Sequence, residues 1–515
     1  MLARVQSFLL QGIDAQPCEV EVDLDETGER KEAVVGLPDA GIKEAIERVK
    51  SAVGNSGYPL PRGRLLINLA PADVRKEGPV YDLPIAIGLL ITQGVVRGEP
   101  RPTAGGVIEG VDHRAFMIGG ELALDGRVRP IKGVIALAAL ARQRGYRGVI
   151  VPAENAIEAA VVEGIEALGV RTLTEVVGLL TGHIEPEPCS PPDVGQMLRS
   201  AHALVDFSEV RGQEAVKRAI VVAAAGSHNI LLLGPAGTGK TMMAKALPGV
   251  LPPLTASEAI EITRVYSAAG MLAPGQGLVT TRPVRSPHHT ASPASIVGGG
   301  AIPRPGEISL SHRGVLFLDE LAEFPRVVLE TLRQPLEDHV VTISRSHSAV
   351  RFPANFMLVA AMNPTPKGTV APGEVGKRAM ARYLEKLSGP LLDRIDIHVE
   401  APAVPWKELS QAPTGTSSAQ MRAQVGAARA RQISRQGENT PNARLTGKQL
   451  DSLAPMDDSS RAMLGQAMTE LQLSARAYDK IRRLARTIAD LEGVENTSIA
   501  HLGEAISYRL LDRNM

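Results

Sequence analysis

Two residues stand out for their chemistry, Lys240 and Thr241, which close the run Gly234, Pro235, Ala236, Gly237, Thr238, Gly239. The apolar stretch "NILLL" leads into this run and the helical stretch "KTMMAKAL" leads out of it. Glycines at this spacing let backbone N–H groups turn toward phosphate oxygens, while the lysine reaches the β- and γ-phosphates and the threonine hydroxyl reaches Mg2+. Gly234 to Thr241 is therefore predicted to be a phosphate loop for ATP, with Thr241 as a metal ligand. Farther along, "GVLFLDE" ends an apolar strand in Asp319 and Glu320. Many strands end in acids for solubility alone. Beside a phosphate loop, however, Asp319 is expected to hold Mg2+ and Glu320 to polarise the attacking water. A third strand, "FMLVAAMNP", ends at Asn363, whose amide can position that water or sense the γ-phosphate; Asn-Pro is also a turn initiator.

These groups need a scaffold, and composition limits which one. Lys+Arg and Asp+Glu both number 56, so the formal charge is zero and any nucleic-acid contact must come from local patches. Aromatics are 3%, too few for broad base-stacking platforms. Cys18 and Cys189 lie far apart in no CxxC pattern, which argues against a disulfide framework or a cysteine metal site and suits a reducing cytoplasm. The apolar run Leu83 to Val96 is too short to span a membrane and reads as a buried core helix. The N-terminal residues show no cleavage site of an export signal, so no membrane partner is expected and the location is read as cytoplasmic.

Two seams divide the chain. "HIEPEPCSPPDVG" carries four prolines in thirteen residues, and "QAPTGTSSAQ" is a shorter Ser/Thr/Gly stretch. The expected organisation is a domain at 1–183, a Pro-rich linker at 184–205, an ATPase core at 206–410 and a helical lid at 411–515. The first block mixes strands such as "CEVEVDL" with helices such as "VIALAALARQRG", an α+β pattern. The middle block alternates strand and helix, the sign of a parallel, helix-covered sheet, so the class is α/β.

The order of these strand tips resembles the AAA+ ATPase core, with Asn363 as first sensor. The stretches "RPVRSPHHTASPASIVGGG", "LSHRGVLFLDELAEF", "LRQPLEDHVVTISR", "GPLLDRIDIHVE" and "LSARAYDKIRRLARTIADLEG" together resemble the magnesium-chelatase-like ATPases of the YifB/ComM type, over nearly the whole chain. That resemblance implies an N-terminal Lon-protease-like domain of the ribosomal S5 domain 2 kind, an AAA+ core and a helical lid. It further implies a homo-hexameric ring with Arg394 as an arginine finger acting on a neighbour, and with Arg476 as second sensor. An Arg394 flanked by Asp393 and Asp396 also fits a plain surface ion pair.

The best-described members of that family are DNA motors driving branch migration of recombination intermediates in natural transformation. The resemblance thus implies an ATP-dependent helicase or translocase on single-stranded or branched DNA. Val340 to Phe352 alternates like a hairpin with Arg345, Ser346 and His347 at its tip. In related helicases such a hairpin touches the nucleic-acid backbone in the ring's channel; an ordinary solvated hairpin reads the same way. Arg282, Arg285, His288 and His289 form a second candidate surface, toward the channel or a neighbouring subunit. The alternative is a chelatase-type or protein-remodelling ATPase working through a partner protein.

The chain departs from family patterns twice. Relatives commonly continue Asn-Pro-Cys-Pro-Cys-Gly after the sensor asparagine; here Thr365 and Lys367 replace the cysteines, so no zinc is expected. Lon proteases need a serine and a lysine, where this chain has Val80 and Ile135, so no peptidase activity is expected.

Overall fold

A computed structural model describes residues 1–27, 31–97, 110–200, 203, 205–300, 303–345, 348–364, 386, 387, 389–405, 415–438, 440–509 and 511. Two compact units emerge, Met1–Met197 with Ala256–Thr280, and Leu198–Thr255 with Thr281–Met515.

The first unit is α+β. Strands β1 (Leu2–Gln11), β2 (Asp14–Asp25), β3 (Glu32–Val35) and, after helix α1 (Ala40–Asn55), β4 (Arg64–Ala70) form a sheet in the order β1-β2-β4-β3. Only the β3–β4 pair is parallel. On β2, Cys18, Val20, Val22 and Leu24 are buried at every second position, the period of a strand with one face on a core. That core contains α2 (Asp82–Thr92), buried along its whole length. The apolar run read as a core helix is helical as far as Thr92, with Gln93 to Val96 beyond the helix end, and among the described residues no helix is long and apolar enough to cross a membrane. Strands β5 (Phe116–Ile118), β6 (Gly148–Pro152) and β7 (Glu166–Val170) make a second, parallel sheet beside α3 (Val134–Gln143).

Residues 256–280 follow the phosphate-loop helix in sequence yet pack with this first unit. The helix Ala256–Ala269 sends Ser267 into a buried site, where its hydroxyl donates to Glu158 and accepts the Gly133 N–H at 2.9 Å. Glu158 also accepts the Ile135 N–H at 2.8 Å, and burial raises its carboxyl above the usual range.

The second unit is built on a five-stranded, all-parallel sheet. After α4 (Glu214–Gly226) come β8 (Ile230–Leu233), α5 (Lys240–Ala246), β9 (Val284–Arg285) and β10 (Val315–Leu318). Then follow α6 (Arg333–Asp338), the antiparallel hairpin β11 (Val340–Arg345) and β12 (Ser348–Pro353), β13 (Met357–Met362) and β14 (Ile397–Glu400). The sheet order is β9-β10-β13-β8-β14. Every residue of β8, β10 and β13 is buried, as a parallel sheet covered on both faces requires. The C-terminal part is helical, led by α7 (Ser418–Gln436), α8 (Ala475–Glu492) and α9 (Ile499–Ser507). Helix α8 opens on a Ser474 cap and stops at Gly493, whose φ of 78° lies in the left-handed region glycine tolerates. The chain is thus mixed α/β with a helical C-terminus, the class its sequence predicts.

Candidate active site

The site forms where three neighbouring strands of the parallel sheet end. Strand β8 feeds the loop Gly234–Gly239, which feeds α5. A Cβ on Gly234 would lie 2.1 Å from the Ala401 carbonyl oxygen, so only glycine lets the loop leave β8 so close to the end of β14. Gly237 and Gly239 have φ of 81° and 85°, and a Cβ at either would meet open space, so their requirement is one of backbone conformation.

Lys240 folds back over the loop. Its Nζ donates to the carbonyls of Gly234 at 2.7 Å and Pro235 at 2.8 Å, and to Asn363 Oδ1 at 3.3 Å. Burial lowers its pKa, and Asp319 and Glu320 partly offset that. Thr241 Oγ1 donates to Asp319 Oδ2 at 2.8 Å, which joins the two residues expected to hold a metal. Thr238 is turned inward, its hydroxyl on the Pro235 carbonyl at 3.1 Å. One ammonium, two left-handed glycines, and a hydroxyl paired with a carboxylate fit a magnesium nucleotide, because Mg2+ takes few protein oxygens and leaves room for phosphate and water. The carbonyls now holding Lys240 are acceptors that phosphate oxygens can replace.

Glu320 lies just past β10 with a φ of 53°, and its N–H donates to Asp319 Oδ1 at 3.0 Å. Its carboxylate meets His289 Nδ1 at 3.2 Å. His289 in turn stacks on His288, with centroids 4.1 Å apart, and stands edge-on to Phe324. The histidine read as a channel or neighbour surface thus lies against the acid expected to act on water, and no local sequence pattern announces that pairing. Arg282 and Arg285, read with it, have internal roles. Arg282 donates to the Pro252 and Arg313 carbonyls, each at 2.7 Å, and Arg285 forms a two-pronged pair with Glu307 at 2.6 and 2.8 Å.

The two arginines assigned by resemblance are held elsewhere. Arg394 pairs with Glu337 and donates to the Pro390 carbonyl at 2.5 Å. Arg476 donates to Asp393 at 3.0 Å and is exposed. Asp396 is buried against Lys480 at 3.1 Å and His228 at 3.4 Å. Burial pushes its carboxyl up, yet Lys480 and His228 outweigh that and hold it well below the usual range. At the candidate DNA hairpin, β11 and β12 pair in register from Val340↔Pro353 to Arg345↔Ser348. Ser346 and His347, like Thr365 and Lys367, lie outside the described residues.

Three strand tips carrying a glycine-rich loop, an acid pair and an asparagine have the arrangement of the AAA+ class. Three family profiles match the chain: "Magnesium chelatase, subunit ChlI" at 206–409, "Subunit ChlI of Mg-chelatase" at 20–155, and "Magnesium chelatase, subunit ChlI C-terminal" at 415–509. Among curated proteins, the chain is 42% identical over 522 residues to the competence protein ComM of Haemophilus influenzae, covering 99% of this chain and 98% of that one. It is 42% identical over 516 residues to the YifB protein of Salmonella typhimurium, with the same coverage. The magnesium-chelatase 38 kDa subunit of Rhodobacter capsulatus is 29% identical over 177 residues, 31% of this chain and 50% of that subunit. The chain belongs to the YifB/ComM-type family of magnesium-chelatase-like AAA+ proteins.

Proposed function

We propose that this protein is an ATPase whose subunits assemble into a ring and spend ATP on moving along DNA. The observation that carries the ATPase reading is the convergence of Lys240 with Asn363 and of Thr241 with Asp319. Bound ATP supplies the transferable γ-phosphoryl group, and Mg2+ offsets its charge. Lys240 exchanges its loop carbonyls for phosphate oxygens, with Gly234, Pro235, Ala236, Gly237, Thr238 and Gly239 forming the cradle. Thr241 and Asp319 hold the metal, Glu320 orients the water and Asn363 reads the γ-phosphate. Arg394 serves the neighbouring subunit's site, where its permanent charge and planar fork suit transition-state phosphate. Arg476, on the helical C-terminal part, reports nucleotide state.

Support for DNA as the track is the hairpin just ahead of the strand bearing Asn363, together with the full-length match to a relative named as a competence protein. We assign no peptidase activity: Ile135 is fully buried and gives its N–H to Glu158. A second reading, a motor that remodels a protein or serves metal insertion through a partner, draws on the magnesium-chelatase profile over 206–409. The two part in one assay, ATP turnover with and without single-stranded and branched DNA at two salt concentrations. Stimulation that falls as salt rises and is lost in an Arg345→Ala/His347→Ala double variant is expected. Turnover indifferent to every DNA would favour the partner-protein reading.

A further inference from the structure

The hairpin and the candidate finger meet within one chain. Helix α6 ends in Glu337 and Asp338, and His339 then turns the chain into β11 at a φ of 55°. The His339 N–H donates to the Pro335 carbonyl at 3.0 Å, and its own carbonyl accepts the Ala354 N–H at 2.8 Å, so both legs of the hairpin are tied to the end of α6. Glu337, the residue before this clamp but one, accepts from Arg394. The Arg394 side chain is only 14% exposed, and its Nε is buried without a partner among the described residues. A guanidinium held this way is withdrawn from solvent. To reach a phosphate on another subunit it must first leave Glu337.

The residues around Arg394 are bound to other elements. Asp393 holds Arg476 of α8, and Asp396 holds Lys480 of α8 while accepting the Asn229 N–H at 3.3 Å. Asp393, Arg394 and Asp396 thus join the hairpin base, the helical C-terminal part and the start of β8.

We propose that Glu337 is a positioning residue that keeps Arg394 withdrawn and makes its release depend on the hairpin. A phosphate on the neighbour and the Glu337 carboxylate compete for the same planar fork of donors. Displacement of the hairpin base, as when its tip engages a nucleic-acid backbone, carries Glu337 away and tilts that competition toward phosphate. This inference rests on the reading of Arg394 as a finger acting in trans.

Glu337→Gln keeps the shape and removes the charge at an exposed side chain, and Glu337→Asp keeps the charge one methylene back. ATP turnover is measured on the full chain with and without branched DNA, alongside affinity for a fluorescent ATP analogue and an Arg394→Ala control. Because the Glu337 carboxylate is exposed, solvent screens the pair to a strength of about twofold to fivefold in an equilibrium, so Glu337→Gln should raise DNA-free turnover by about that factor. Its stimulation by DNA should shrink correspondingly, analogue affinity should stay at the parent value, and Glu337→Asp should lie nearer the parent. Parent-like turnover of Glu337→Gln in both conditions, or its loss in both, overturns the inference while an inactive Arg394→Ala leaves the finger reading intact. Parent-like turnover of Arg394→Ala overturns both. Should no DNA stimulate the parent, the DNA reading fails, and the DNA-free rise still decides for or against Glu337.

Discussion

At the scale of single residues, the site consists of short polar contacts between groups that lie far apart in sequence. Lys240 and Asn363 are brought together because β8 and β13 are adjacent and parallel, in register from Ile230↔Val359 to Leu233↔Met362. Asp319 reaches Thr241 because β10 lies on the other side of β13. The residue types and their order along the chain were enough to read this arrangement, because a parallel sheet aligns its strand ends and the motifs mark those ends. The contact between Glu320 and His289 was not readable, since its two members share no spacing rule. It carries a prediction. Glu320→Gln should bind ATP and fail to hydrolyse it, whereas His289→Ala should lower kcat about tenfold or more by loosening the carboxylate, with KM for ATP unchanged. His289→Gln, which keeps a hydrogen-bonding side chain, should recover part of that loss. Steady-state kinetics separate the cases, and equal kcat in parent and His289→Ala would show that the contact is incidental.

At the scale of elements, the hairpin β11–β12 and the helix Ala256–Ala269 show how far local pattern goes. The alternation from Val340 to Phe352 shows a hairpin, and the structure has one. Amphipathic spacing does not say what a helix packs on, so nothing in "ASEAIEITRVYSAA" tells that Ser267 meets Glu158. The hairpin base carries a pH dependence. Burial, helped by the positive charge of Arg444, brings the His339 pKa down to about 4. Folded His339 therefore binds its proton less readily than an unfolded one, whose pKa is about 6.5. The stability it allows is fully present above pH ~6.5, falls as the pH drops toward 4, and changes no further below that. In His339→Asn, which tolerates the left-handed backbone, that dependence should vanish. Amide hydrogen exchange in β11 and β12 at pH 7 and pH 4.5 reads the difference. The parent should lose about 1–2 kcal/mol of opening free energy relative to the variant, the full linkage being discounted for partial solvation. An equal pH response in both proteins would place the histidine's titration outside the hairpin's stability.

At the scale of the molecule, the chain carries the loop proposed to bind nucleotide and an arginine that its own contacts hold on Glu337 and Pro390. Such a division makes sense in a closed ring, where each subunit gives its loop to one interface and its arginine to the next. A mixing experiment tests this directly. Lys240→Ala keeps Arg394 and should lose nucleotide binding; Arg394→Ala keeps the loop and should bind nucleotide without efficient turnover. Alone, each variant is expected to be nearly inactive. In equimolar mixed rings, a site that takes its loop from the Arg394→Ala chain and its arginine from the Lys240→Ala chain is whole, and random assembly places such a pair at about a quarter of the interfaces. Turnover should therefore reappear on mixing, peak near equal proportions and stay below about a quarter of the parent rate where neighbouring sites must fire together. An arginine acting on its own subunit's nucleotide predicts the reverse, since no mixture then contains a complete site. If mass measurement shows mixed rings and turnover stays flat at every ratio, Arg394 does not act across the interface.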